Sequence, residues 1–153
     1  MENNFDFYVG TWDVVNRRLA KPLAGSDEWD EFPAVSVAHG FFNGAGNFDE
    51  ITFPTKGWSG ATVRTYDAAT GDWSLHWINS TGTVTLREPP VVGRFYGEEG
   101  LFYCDDTYQG VPVRVRYRWS GISATTARWE QAFSTDDGET WETNWTMDST
   151  RRE

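Results

Sequence analysis

Short runs of alternating apolar and polar residues, punctuated by turn residues, make up most of the chain. Thr11–Leu19 sets Trp12, Val14 and Asn16 against Asp13, Val15 and Arg17. Trp29–Phe42 and Asn47–Phe53 read as strands divided by a Gly44-Ala45-Gly46 turn. Trp58–Tyr66 and Trp73–Asn79 flank Asp67-Ala68-Ala69-Thr70-Gly71, a hairpin signal. Thr83–Leu86 reads as a short strand, and Val91–Phe95 follows Pro89-Pro90. Leu101–Thr107 and Val111–Trp119 flank Tyr108-Gln109-Gly110, while Thr126–Ser134 and Thr140–Asp148 flank Asp136-Asp137-Gly138. Helical periodicity is nearly absent, since Ala20–Glu31 contains Pro22 and Gly25 and no sustained apolar stripe. The pattern predicts one all-β domain over residues 1–153, with about ten short strands joined mostly by tight hairpins. Such a meander closes into an antiparallel up-and-down β-barrel and so removes its edges; an open sandwich is the alternative. Lys21–Asp30 is expected to be a loop over the open end.

The last hairpin predicts a register. A three-residue loop at Asp136-Asp137-Gly138, with glycine in the left-handed position, sets Phe133 opposite Trp141, Gln131 opposite Thr143 and Trp129 opposite Trp145. One face is then an aromatic wall around Gln131. The other carries Arg128, Glu130, Ala132, Glu142, Asn144 and Thr146. Burial directs the aromatic face inward, and a slip of one residue would exchange the faces of a strand.

Composition strengthens the all-β reading. Nine Trp, ten Phe and six Tyr bring aromatics to 16%, and these residue types favour strands. The formal net charge of −10 disfavours nucleic acid and anionic membrane surfaces as partners. Cys104 is the lone cysteine, which excludes an internal disulfide; flanked by Asp105 and Asp106, it reads as inert rather than catalytic. No apolar run approaches a membrane span, and no signal-peptide pattern is visible at the N-terminus, so a cytoplasmic location is expected. Either a monomer or a homodimer is compatible with the sequence.

Chemistry-bearing residues are sparse. His39 and His76 stand apart, with no Cys/His cluster at metal spacing, and no metal or other cofactor is expected. His76 alternates with Trp73 and Trp77, which places it on the outside; turned inward, it would serve as a proton shuttle or a haem ligand. In Phe48-Asp49-Glu50 the adjacent carboxylates point to opposite faces, so one at most enters an interior. Arg114, Arg116 and Arg118 share one strand face, and Val113, Val115, Tyr117 and Trp119 share the other. The plain reading faces the arginines to solvent. The sharper one turns them inward onto a ligand carboxylate, at the cost of an exposed apolar stripe. No Ser/His/Asp set, P-loop or dinucleotide fingerprint is present.

Several segments recur together in a known order. They are Phe5-Asp6-Phe7 before Gly10-Thr11-Trp12, Gly46-Asn47-Phe48-Asp49-Glu50, Tyr66-Asp67 through Thr70-Gly71-Asp72-Trp73-Ser74, Arg128-Trp129-Glu130-Gln131-Ala132-Phe133-Ser134 and Thr140-Trp141-Glu142-Thr143-Asn144-Trp145. Jointly, over nearly the whole chain, they resemble a bacterial family of uncharacterised lipocalin-like proteins. The resemblance implies a calycin-type barrel and no established reaction. It also implies that Trp12 plugs the barrel floor, with Arg151 or Arg152 over its ring. The Gly-x-Trp start is shared with lipocalins and nitrobindins, but the nitrobindin pattern is glycine-richer after the tryptophan.

Three functional readings follow. The first is a barrel that binds a small apolar or aromatic molecule through Trp77, Arg116, Trp129, Gln131, Phe133, Trp141, Asn144 and Trp145. The second is a cofactor-independent isomerase or cyclase in the same cavity, with Glu50, His76 and Glu130 as catalytic candidates beside Gln131 and Asn144. The third is a haem or nitric-oxide carrier using His39 or His76.

Overall fold

Glycine and polar turns divide the chain into strands that follow one another around a closed wall. The computed structural model describes residues 4–82, 84, 86 and 89–153. Among these, ten strands are found: β1 (Gly10–Leu19), β2 (Trp29–Phe41), β3 (Gly46–Phe53), β4 (Trp58–Asp67), β5 (Asp72–Asn79), β6 (Val91–Tyr96), β7 (Glu99–Tyr108), β8 (Val111–Ser120), β9 (Thr126–Ser134) and β10 (Glu142–Arg151). Each pairs with its sequence neighbour, and β1 closes on β10, so the sheet is an antiparallel barrel and not a sandwich. This architecture is consistent with a calycin-like fold. The strand expected at Thr83–Leu86 rests on residues 83 and 85, which lie outside the described residues.

Period-two alternation decides what is inside. On β1, Trp12, Val14 and Asn16 are buried between exposed Asp13, Val15 and Arg17. On β8, Val113, Val115 and Trp119 are buried, while Arg114 and Arg118 form ion pairs with Asp105 and with Glu99 and Glu130. The solvent-facing reading of the arginine row therefore holds.

One end of the barrel is sealed. The 3-10 turn Asp6–Tyr8 carries Phe5, Phe7 and Tyr8 under the strands, where they pack with Trp12, Trp73, Phe95, Phe102 and Trp119. Trp12 is fully buried, stacks on Tyr8 at 4.9 Å between ring centroids, and donates its indole N–H to the Tyr8 carbonyl at 2.8 Å. Arg151 covers it, with its guanidinium carbon 4.4 Å from the ring centroid and donated bonds to the carbonyls of Val9, Phe7 and Ala124. Arg152 instead pairs with Asp13 on the outside. Gly10 is required here by its backbone, since φ +127° is a conformation that side chains rarely adopt.

The last hairpin corrects the expected register. Phe133 pairs with Glu142, Ala132 with Thr143, Gln131 with Trp145 and Trp129 with Met147. Two local causes account for the shift. The Asp136 carboxylate accepts the Ser134 hydroxyl and both the backbone N–H and the hydroxyl of Thr140, which holds residues 139–141 in the loop. These bonds, those from Thr140 foremost, draw the Asp136 carboxyl down to a pKa of about 2. Then a bulge between Thr143 and Trp145 inserts Asn144, so that Asn144 and Trp145 are both buried.

Candidate functional site

Above the aromatic floor the barrel is hollow. A cavity of about 300 Å³ is lined by side chains from most of the strands, among them Ile51, Thr62, Leu75, Trp77, Cys104, Val115, Tyr117, Trp129, Gln131, Phe133, Trp145 and Met147. Three indoles shape it: Trp129 and Trp145 meet edge-on at 5.6 Å, and Trp77 meets Trp145 edge-on at 6.4 Å. Their spacing and tilt are those of favourable aromatic pairs.

The bottom of the cavity is polar and buried. Arg64 is only 3% exposed, and its Nη2 lies 2.7 Å from Asp49 Oδ1. Arg64 Nη1 donates to Asn47 Oδ1 at 2.8 Å, and Ser36 Oγ donates to Asp49 Oδ2 at 2.8 Å. The pairing follows from the strand register: Arg64 stands opposite Asn47, and Asp49 opposite Thr62, so all four share the inner face of β3 and β4. The guanidinium also lies over the rings of Phe5, Tyr8 and Trp119, at 5.1–5.7 Å. Arg64 Nε has no hydrogen-bond partner among the described residues. The Tyr8 hydroxyl completes the cluster 3.4 Å from Ser149 Oγ. Burial, followed by the neighbouring Asp49 charge, pushes the Tyr8 phenol up to about 12. Tyr8 is thus a neutral group at the cavity base, and the ion pair beside it carries no net charge.

The open end has different chemistry. Arg18, near the end of β1, lies over the Trp145 ring at 4.1 Å, and partial burial lowers its guanidinium from the ordinary value. Beside it, Gln131 Nε2 donates to Asn144 Oδ1 at 2.9 Å. A second hollow of about 280 Å³ shares Arg18, Tyr108, Gln131 and Phe133 with the first and is also lined by Ala20 and Pro22. The β1–β2 connection is held over this end by the Leu23 N–H, which donates to Glu142 Oε1 at 2.7 Å.

The cavity brings together Trp77, Trp129, Gln131, Phe133 and Trp145, and Asn144 lines the adjoining hollow. Other residues singled out in the sequence lie elsewhere. Arg116 and Trp141 meet each other on the outer surface, guanidinium over indole at 4.6 Å, with Tyr103 alongside. The loop that holds residue 141 out of β10 is the reason, and it removes Trp141 from the expected interior wall. Glu50 is exposed on the face of β3 opposite Asp49. Glu130 is outside, between Arg118 and Arg128. His76 pairs with Val63 on the strand face opposite Leu75 and Trp77, and His39 is exposed against the Phe48 ring. Sequence reasoning left Arg18, Arg64, Tyr8 and Asp106 out of the site, although all four line the cavity. For Arg64 the strand pattern gave no inward signal, since it shares a face with Thr62 opposite the apolar Ala61 and Val63.

No protein-family model matches the chain, and no curated protein matches it in sequence.

Proposed function

We propose that this barrel binds one small, mainly apolar or aromatic molecule in its interior. The observation that carries the reading is the hollow of about 300 Å³ walled by Trp77, Trp129 and Trp145. That volume falls at the small end of the roughly 300–1,000 Å³ typical of ligand cavities, which suits a compact ring system better than a long acyl chain. Trp12 and its neighbours fill the floor alone, so the remaining aromatic wall is left to a guest. A binding role is favoured over catalysis because Glu50, His76 and Glu130 all lie outside the barrel. Tyr8 inside holds its proton far above neutral pH, whereas general acid–base chemistry works best with a group that titrates near the working pH. Both histidines also lie outside, and neither reaches a haem in the interior.

Calorimetric titration with naphthalene-2-methanol tests the reading. Binding is expected for the unmodified chain and is lost in Met147→Trp, which fills the cavity from β10 and leaves the floor untouched. Equal binding by both proteins would place the molecule outside the barrel. An absence of heat, together with an unchanged melting temperature across a panel of aromatic compounds, would overturn the proposal.

A further inference from the structure

Arg18 stands at the barrel mouth in a chain with an excess of ten negative charges. Among the described residues it forms no ion pair. Its cross-strand neighbour Asp30 is taken by Lys56, and the adjacent Arg17 is paired with Glu31. Asp106, which also lines the cavity, accepts no bond from Arg18; it receives the Thr107 N–H at 2.8 Å. Arg18 is solvent-exposed, with its guanidinium carbon 4.1 Å from the Trp145 ring centroid. A guanidinium placed in this way is open to an incoming anion.

A second observation points to the same spot. Asn144 is 2% exposed and lines the hollow that Arg18 also lines. Its side-chain oxygen accepts from Gln131, but its Nδ2 has no hydrogen-bond partner among the described residues. A buried, unused amide donor is costly, and it becomes favourable once an acceptor arrives. The bulge at residue 144 is what turns this donor inward. Bulges commonly re-aim a side chain at a functional position. Arg18 and Asn144 belong to β1 and β10, which are hydrogen-bonded neighbours, and Arg18 pairs directly with Trp145. The two donors therefore border the same hollow from adjacent strands, beside Trp145.

Building on the binding reading, we propose that the guest is an aromatic or alicyclic carboxylate. Its ring occupies the cavity between Trp77, Trp129 and Trp145, and its carboxylate sits at the mouth on Arg18 and Asn144. One guanidinium and one amide suit a singly charged planar head, which a guanidinium fork meets with two parallel bonds. A dianionic phosphate would require more positive charge than the mouth supplies, with Asp30 and Asp106 close by. The deep Arg64 does not compete for the head, because Asp49 already neutralises it.

The test is calorimetric titration of the full chain with naphthalene-2-carboxylate and naphthalene-2-methanol, for the unmodified protein and for Arg18→Met. Methionine keeps an apolar stem against Trp145 and removes the charge. In the unmodified protein, the carboxylate is expected to bind about tenfold more tightly than the alcohol, a factor in the range of a charge-assisted hydrogen bond, and to weaken as salt rises. Arg18→Met is expected to bring the two affinities together by weakening the carboxylate alone. Three outcomes overturn the proposal: the carboxylate binding no better than the alcohol, Arg18→Met weakening both alike, or neither compound binding. Alcohol binding without a carboxylate preference removes the head assignment and leaves the cavity reading standing. Failure of both compounds removes both.

Discussion

Tyr8 makes the stability of this barrel depend on alkaline pH in a calculable way. Its phenol is 3% exposed at the cavity base and is raised from 10.0 to about 12, chiefly by burial. A group whose pKa is raised on folding stabilises fully below its unfolded value and loses that contribution as pH climbs to its folded value. The unfolded chain therefore releases the Tyr8 proton near pH 10, the folded chain holds it until about pH 12, and stability falls between. At about 1.36 kcal/mol per unit, the two-unit window corresponds to a loss of about 2.7 kcal/mol. Denaturant unfolding from pH 8 to 12, with unmodified protein and Tyr8→Phe side by side, isolates the effect, because the other ionising groups titrate alike in both. At pH 8 the phenylalanine variant should be about 0.5–1.5 kcal/mol less stable, the net worth of one hydrogen bond. Between pH 10 and 12 the unmodified protein should lose this advantage and become the less stable of the two. Absorbance at the tyrosinate band gives an independent readout: Tyr8 should resist ionisation until the fold opens. Parallel stability curves across the whole range would refute the reasoning.

Two further outcomes concern the sealed end and the polar base. Trp12→Ala should cost about 3–5 kcal/mol in denaturant unfolding, the range for deleting a large core aromatic, and an unchanged curve would contradict the plug. Arg64→Met should cost about 3–5 kcal/mol because it strands the buried Asp49 carboxylate, whereas Arg64→Met combined with Asp49→Leu should recover most of that loss. If the double variant is as unstable as the sum of the two single ones, the ion pair is not the interaction at stake.

The wall of the barrel was legible in the sequence because tight turns and period-two alternation both act locally. Thr11–Leu19 and Thr126–Ser134 match β1 and β9 closely for that reason. The inner polar layer was not legible, because it depends on which strand faces which. On β4, the apolar Ala61 and Val63 alternate with Thr62 and Arg64, so the ordinary burial rule would turn Arg64 outward. Only the β3–β4 register brings Asn47 and Asp49 alongside and makes burial of a guanidinium tolerable. At the last hairpin the failure was of a different kind. Bonds donated to the Asp136 carboxylate lengthened the loop, and a bulge at Asn144 broke the period, so Trp141 left the interior and Asn144 entered it. Period-two counting carries no information about either event.

The clasp of Arg151 over Trp12 also sets the order in which the molecule is finished. Its guanidinium reaches back across 142 and 144 residues to the carbonyls of Val9 and Phe7, and β10 supplies the hydrogen bonds that join the sheet to β1. A chain extended only through β9 has two free sheet edges and an uncovered indole. Closure is therefore a late, long-range step, and topologies of this kind fold slowly. Until that step, β1 and β9 are exposed as templates for pairing with other chains, so aggregation during synthesis should be the first cost of any change that weakens the last strand.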